Sequence, residues 1–180
     1  MLIGEKVTLG PVLAGDGPAL FNWFNHLGLS ATSGSFRPLD EARFSQWMAG
    51  LCSDPTKVIF TLRAKPDLRL IGYLQITNIN PAVACAEVGL AIGDPADRGR
   101  GLGLEALTLG VRYCWDELNL RRVALFVLSN NPQALALYRK AGFEIEGVMR
   151  RAAYTDGEFR DVTIMAKLRP DGPVGGPLNS

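Results

Sequence analysis

The chain of 180 residues is 47% hydrophobic and 21% charged, which predicts a globular protein with one domain and a sizeable core. The formal net charge of +1 and the lack of a long basic run disfavour nucleic acid as a partner. No apolar run reaches the ~18 residues of a membrane-spanning helix, so no membrane association is expected. Glu5 and Lys6 interrupt the apolar N-terminal residues, which argues against a signal peptide and indicates a cytoplasmic location.

Cysteine and histidine usage argues against a metal site. Cys52, Cys85 and Cys114 lack the spacing of metal ligands and are interpreted as reduced, buried thiols. His26 is the only histidine of the sequence, which excludes a cluster of histidine ligands, and it is interpreted as an exposed helix or loop residue. We therefore expect no bound metal.

The first half of the chain predicts one strand, two helices and then three strands. Residues 2–9 alternate roughly between apolar and polar side chains, as in a strand. Asp16 precedes Gly17-Pro18 as a possible helix cap, and a second helix is expected near Asp40. The strands that follow are expected over residues 57–64, 70–79 and 83–93.

The second half predicts alternating helices and strands. Apolar side chains at helical spacing indicate a helix over residues 104–118, and an apolar run indicates a strand over residues 123–128. Asn131 and Gly142 are expected to begin and end a further helix. The remaining elements are two strands and their hairpin turn, over residues 143–150, residues 159–168 and Asp156-Gly157.

These elements indicate an α/β (α+β) fold in one domain, residues 1–169, followed by a disordered tail, residues 170–180. The domain is predicted to hold a mixed, mostly antiparallel central sheet of about seven strands, flanked by about four helices. The helix over residues 104–118 links two strands by a crossover that should be right-handed.

Residues 94–104 form a glycine-rich loop between a predicted strand and a predicted helix. Gly99, Gly101 and Gly103 lie at every second position, and glycine lets the backbone approach a ligand closely. The free N–H groups at the start of the helix favour an anion such as a phosphate or pyrophosphate. A dinucleotide-binding fingerprint does not fit, because Leu104 replaces its third glycine, and a P-loop does not fit, because the chain has no Gly-Lys pair.

The remaining pattern, Arg98-x-x-Gly101-x-Gly103, resembles the acetyl-CoA loop of the GNAT acetyltransferases. A glycine-rich turn that only caps a helix is the alternative interpretation of this loop. A second motif downstream favours the resemblance. It reads Asn131-x-x-Ala134-x-x-x-Tyr138-x-x-x-Gly142-Phe143, as in the GNAT signature, and follows an apolar strand.

The resemblance covers roughly residues 2–168 and is strongest to the branch named after the ribosomal-protein N-terminal acetyltransferases. The similar features include the opening residues 4–11, the strand with Glu87 and the Asp156-Gly157 hairpin. One departure concerns Leu90 and Ala91, because an aromatic residue often follows the strand glutamate in that branch. This difference widens the acceptor side and weakens any specific substrate assignment.

The resemblance implies acetyl-CoA as acetyl donor and transfer of the acetyl group to a primary amine by direct attack on the thioester. Backbone groups of the strand would pair with the pantetheine arm, and loop N–H groups would bind the pyrophosphate. Asn131 would lie near the pantetheine while it also caps its helix. The implied cofactor-binding residues are Leu90, Ala91, Ile92, Arg98, Gly99, Arg100, Gly101, Leu102, Gly103, Leu104, Asn131 and Tyr138.

Two side chains are candidates for proton transfer. An alkylamine with a pKa of ~10 is mostly protonated at neutral pH, so a nearby carboxylate could accept its proton. Glu87 is the candidate base, and alternation along its strand places it on the same face as Ala91. Tyr138, two helical turns after Asn131, is the candidate donor to the leaving thiolate. The alternatives are a structural ion pair for Glu87 and simple helix packing for Tyr138.

The family resemblance places the first two helices and their loop around the acceptor. Trp23, Phe36 and Arg37, together with Glu87, are therefore candidate acceptor-binding residues, although the tryptophan could simply pack in the core. The acceptor stays open between a protein or peptide N-terminus and a small amine such as an amino sugar, polyamine or antibiotic. The other hypotheses are a non-catalytic acyl-CoA-binding sensor and a nucleotide-binding module, and the chain is expected to be a monomer or homodimer.

Overall fold

A computed structural model describes residues 1–26, 38–50 and 53–170. Within these ranges, one sheet holds eight strands in the order β1-β2-β3-β4-β5-β6-β8-β7, accompanied by four α-helices. The strands are β1 (Leu2–Ile3), β2 (Val7–Gly10), β3 (Val58–Ala64), β4 (Arg69–Asn80), β5 (Cys85–Ile92), β6 (Arg122–Leu128), β7 (Glu144–Thr155) and β8 (Glu158–Leu168). The helices are α1 (Gly17–Phe24), α2 (Glu41–Gly50), α3 (Leu102–Asp116) and α4 (Pro132–Lys140).

The α/β fold with a mostly antiparallel sheet is confirmed, and the eighth strand comes from the N-terminus. The prediction of one strand over residues 2–9 is wrong, because β1 and β2 pair with each other across a turn. In this turn the Gly4 amide donates to the Val7 carbonyl over 2.9 Å. The Lys6 amide donates to the Glu105 carboxylate over 3.0 and 3.1 Å, so a helix side chain fixes the turn.

Two predicted helix starts also need correction. Helix α3 begins at Leu102 rather than at residue 104, so the end of the glycine loop is already helical. Asp16 does precede α1, but its carboxylate does not cap that helix. Both of its oxygens instead accept from the Arg63 Nη2 over 2.7 Å, and the two side chains are largely buried.

The elements that carry the second motif form as predicted. The Asn131 side chain accepts a hydrogen bond from the Ala134 amide over 3.0 Å and caps α4. Gly142 follows the helix with a φ of +82°, in the left-handed region.

Asp156 and Gly157 both have positive φ, as a tight hairpin between β7 and β8 requires.

The pairing of β5 with β6 is the only parallel pairing among the described strands, and it is short. It joins Cys85, Ala86 and Glu87 to residues 122–124 and then stops. β5 continues to Ile92 against β4, and β6 continues against β8, so the two strands diverge. We call the space between residues 88–92 of β5 and residues 125–128 of β6 the interstrand gap.

Two hydrophobic clusters cover opposite faces of the sheet. The larger cluster lies under α3 and α4, and Val88, Leu90 and Ile92 of β5 pack in or against it. The smaller cluster lies under α1 and α2, and Ala91 packs against it. Since side chains alternate along a strand, Glu87 points to the same side as Ala91. We call these sides the α3 face and the α1 face, and the predicted alternation in β5 is confirmed.

The structure describes two of the three cysteines. Cys114 is buried, which raises the pKa of its thiol to about 12, whereas Cys85 is only half-buried. Cys52 and the predicted tail beyond residue 170 lie outside the described residues. No described helix combines the length and apolar character needed to cross a bilayer. No group of three or more potential metal-ligating side chains occurs within the ranges described.

Candidate active site

The glycine loop leads directly into the N-terminal end of α3. Gly99 and Gly101 have φ values of +73° and +82°, which residues with a Cβ rarely adopt. The helix begins directly after Gly101, and the Glu105 amide donates to the Gly101 carbonyl over 3.1 Å. The preceding amides, those of residues 102–104, have no acceptor within the helix, and they lie at its positive end. This arrangement fits a phosphate group.

A buried carboxylate anchors the loop. Asp97, whose side chain is 3% exposed, accepts two hydrogen bonds from the Arg69 guanidinium over 2.8 and 2.9 Å. It also accepts one from Arg100 over 3.1 Å. The bonds from Arg69, more than any other interaction, lower the pKa of Asp97 below its ordinary value. The sequence alone does not reveal this pair, because no local pattern joins residues that lie 28 positions apart.

The two arginines of the loop form hydrogen bonds with other groups of the protein. Arg98 turns back and donates to the Ile92 carbonyl over 3.1 Å and to the Gly93 carbonyl over 3.4 Å. Arg100 is engaged with Asp97 as described above. Both guanidinium groups are thus engaged within the protein, whereas the amides at the start of α3 have no acceptor in the helix.

A basic cleft of about 840 Å³ adjoins the start of α3. Lys6, Lys65 and Arg100 contribute positive charges to its lining, and Glu5 contributes one negative charge. Sequence analysis did not single out the two lysines, which come from the β1–β2 turn and from the turn after β3. Their charge adds to the attraction of the loop for anions.

The end of β5, the glycine loop and α4 come close together around Gly103. A Cβ built on Gly103 would lie 3.3 Å from a Leu90 methyl, 3.4 Å from an Ile92 methyl and 3.7 Å from a Leu137 methyl. Glycine at this position thus lets α3 approach the strand closely. As a result, the backbone of residues 90–92 lies beside the loop and along the interstrand gap.

Glu87 lies on the α1 face at the start of the interstrand gap. It is half-buried, and its neighbours in register are Thr77 on β4 and Ala124 on β6. Its carboxylate makes no hydrogen bond or ion pair with any residue that the structure describes, so the alternative of a structural ion pair finds no support. The carboxylate is therefore available to an incoming ligand.

Tyr138 lies on the opposite side of the sheet from Glu87. It is 8% exposed, packs in the cluster of the α3 face and contacts Phe143 edge-on, with 6.0 Å between ring centroids. Burial raises the pKa of its hydroxyl above the ordinary value, so the phenol stays protonated at neutral pH. The interstrand gap lies between these two faces, where β5 and β6 are no longer paired. A group placed in it could be approached from both.

The predicted acceptor residues are only partly described. Trp23 lies in α1 directly against the backbone of Gly93, where any Cβ would overlap its indole. It lines a cleft of about 390 Å³ together with His26 and Asp94. Phe36 and Arg37 lie outside the described residues. Trp23 is thus at the end of β5, and it also packs against the smaller core cluster.

Replacing Asp97 by asparagine should destabilise the fold in a pH-dependent manner. A carboxyl whose pKa is lowered by folding stabilises the native state above its unfolded pKa of about 3.9, and this stabilisation disappears as the pH falls through the native pKa. Urea unfolding should show Asp97→Asn less stable than wild type at pH ~7, with the difference shrinking below pH ~4. Asp116→Asn, which alters a half-exposed surface pair with Arg112, is the control and should change little. Equal stability of Asp97→Asn and wild type at neutral pH would contradict the anchoring role.

Comparison with known proteins adds independent information. Residues 6–144 match the family described as "Acetyltransferase (GNAT) domain". The chain is 34% identical over 113 residues to the probable N-acetyltransferase YjcK of Bacillus subtilis, covering 62% of each chain. It is 28% identical over 117 residues to the [ribosomal protein uS5]-alanine N-acetyltransferase of Escherichia coli, covering 64% of this chain and 60% of the relative. The alignments thus span about three fifths of the length of these relatives.

The fold is also similar to a solved structure. A crystal structure of spermidine N-acetyltransferase from Vibrio cholerae, in complex with CoA and spermine, superposes with a TM-score of 0.84 at 24% identity. The superposition covers 91% of this chain and 95% of that one. Together with the family match over residues 6–144, the glycine loop and the diverging strands lead to one conclusion. The chain belongs to the GNAT acetyltransferase family.

Proposed function

We propose that the chain is an acetyl-CoA-dependent N-acetyltransferase that acts on a primary amine. The observation that carries this proposal is the position of an unpartnered carboxylate, Glu87, at the start of an interstrand gap whose other end lies beside the glycine loop. Family membership supports the choice of acyl donor. The cytoplasmic location and the monomeric or homodimeric state remain predictions.

The residues along the gap fit the chemical groups of acetyl-CoA. The pantetheine arm carries amide groups, and β5 offers backbone N–H and C=O groups at an edge that lacks a strand partner beyond Glu87. The pyrophosphate carries negative charge, and the amides of the loop and of the first turn of α3 are donors. We assign cofactor binding to Leu90, Ala91, Ile92, Arg98, Gly99, Arg100, Gly101, Leu102, Gly103, Leu104, Asn131 and Tyr138. When bound, acetyl-CoA supplies an activated acetyl thioester.

Glu87 is proposed as the general base. The attacking nitrogen must lose protons, because an alkylammonium with a pKa of ~10 has no free lone pair. In the balanced reaction an N–C amide bond forms and the C–S bond breaks. The amine proton goes to Glu87 or to a water that it holds. Trp23, Phe36 and Arg37 are proposed acceptor contacts.

Tyr138 is proposed as the donor to the sulfur that leaves. Its raised pKa keeps the hydroxyl protonated at neutral pH, so it can donate a hydrogen bond or a proton to a thiolate. Its hydroxyl has no hydrogen-bond partner within the described ranges, which leaves it available to the cofactor. Its place on the α3 face separates the donor from the base.

The direct test is the release of CoA thiol from acetyl-CoA over a panel of amines and N-terminal peptides. Release that depends on one class of acceptor is the expected result. Tight binding of acetyl-CoA without release by any acceptor would favour the sensor hypothesis. Absence of acetyl-CoA binding would contradict the assignment of the loop and the gap.

Replacing Glu87 by glutamine should slow transfer without weakening cofactor binding. A positioned base contributes about 10²–10⁴-fold, so kcat/KM for the amine should fall by that range at neutral pH. Part of the loss should be recovered at higher pH, where more of the amine is already deprotonated. Steady-state kinetics and calorimetry with acetyl-CoA measure the two effects. The exposed Glu117→Gln is the matched control, and a kcat/KM within about threefold of wild type for Glu87→Gln would refute the role.

Replacing Tyr138 by phenylalanine should lower kcat and leave acetyl-CoA binding intact. The ring and its packing against Phe143 are retained, so only the hydroxyl is removed, and a loss of about 10²-fold is expected. Tyr113→Phe is the matched control, because Tyr113 of α3 also packs edge-on against a phenylalanine, Phe60 of β3, with 5.0 Å between ring centroids. An unchanged kcat in Tyr138→Phe, measured by thiol release, would show that another group protonates the sulfur.

A further inference from the structure

Gln75 is a polar side chain of β4 that lies on the α1 face, close to Glu87. It lies in β4, faces Gly89 of β5 in register and is half-buried. Its carboxamide makes no hydrogen bond with any described residue. A half-buried amide in a strand usually has a partner in the protein or binds a water or ligand. The amide of Gln75 is therefore available to a water or a ligand on this face.

Gly89 lets this side chain lie across β5. A Cβ built on Gly89 would be 3.0 Å from the Gln75 Nε2 and 3.2 Å from its Cγ. The amide therefore rests on the strand at the place where any other residue would have its own side chain. This position lies two residues beyond Glu87, where β5 has already lost its pairing with β6.

The Gln75 amide and the Glu87 carboxylate are diagonal neighbours on one face. Thr77 faces Glu87 in register, and Gln75 is two residues further along the same side of β4. Such diagonal pairs in antiparallel strands lie about 7–8 Å apart, within reach of long side chains or of a small molecule between them. Glu87 is the only acidic residue in β3, β4 and β5, so these three strands bring a single carboxylate to the α1 face, next to the Gln75 amide.

We propose that Gln75 determines acceptor specificity by binding a neutral polar group next to the reacting amine. The inference rests on the proposed function, in which Glu87 receives the proton of that amine. The preferred acceptor then carries a carbonyl or hydroxyl close to its amine, as an amino-acid amide, a peptide N-terminus or an amino sugar does. A polyamine, whose second cationic group seeks a second carboxylate, is disfavoured.

The chemistry of the carboxamide explains this preference. Its NH₂ group donates to an uncharged oxygen, and its carbonyl accepts from a hydroxyl or amide N–H. A site built to form such a bond rejects an acceptor that lacks the matching group, because the polar atoms of the site are left unpaired. A second ammonium group would gain no ionic partner from a neutral amide. Replacing the amide by a carboxylate of equal size should therefore change which amine is preferred.

The test compares kcat/KM for alaninamide and putrescine in Gln75→Glu, Gln75→Met and wild type. Wild type should prefer alaninamide. Gln75→Glu should shift the ratio towards putrescine by about tenfold or more, because it supplies the second carboxylate. Gln75→Met, which removes the hydrogen bonds at similar size, should lower the rate with alaninamide by about tenfold and affect putrescine little. Gln46→Glu places the same charge on the exposed surface of α2 and is the matched control.

The outcomes separate this inference from the proposed function. A wild-type preference for putrescine, or variant ratios within about twofold of wild type, would overturn the role of Gln75 while the enzyme remains active. If Gln75→Glu fails to fold, as judged by circular dichroism, the isosteric Gln75→Met still decides. Absence of turnover with every acceptor in wild type that binds acetyl-CoA would instead refute the proposed function, and the inference with it.

Discussion

β5 and β6 pair in parallel only through residues 85–87, and each then follows its other neighbour, β4 or β8. A strand edge in the middle of a sheet exposes backbone N–H and C=O groups that need partners. In this protein the open edge starts at Glu87 and ends beside the glycine loop. The same divergence leaves backbone groups with which an extended, amide-containing ligand can pair, and it places a carboxylate at the start of the open edge.

The conformation of the glycine loop, at the other end of this open edge, depends on charged side chains that bond within the protein. Asp97 is buried and bound by Arg69 and Arg100, and Arg98 binds backbone carbonyls at the end of β5. These bonds hold the backbone so that the amides at the start of α3 point outward. An anion site built from a fixed backbone has a geometry that does not depend on flexible side chains. The basic cleft with Lys6 and Lys65 adds only a general attraction.

Local patterns were sufficient to predict the loop, the capped helix α4 and the face of Glu87. Each of these depends on residues that are close in sequence, on glycines that can adopt a positive φ, or on the alternation of side chains along a strand. The bond between Arg69 and Asp97 and the contact of Gln75 with Gly89 depend on strand register, which one sequence does not display. The single strand predicted over residues 2–9 was wrong, because its turn is fixed by Glu105 from a distant helix.

The central claim is that the open edge of β5 and the start of α3 bind the acyl donor. Amide hydrogen exchange, measured by mass spectrometry with and without acetyl-CoA, tests it without any need for an acceptor. The account predicts slower exchange in peptides that span residues 88–92 and 99–104 when acetyl-CoA is present, with the hairpin of β7 and β8 unchanged. Unchanged exchange in both peptides at saturating acetyl-CoA would contradict it.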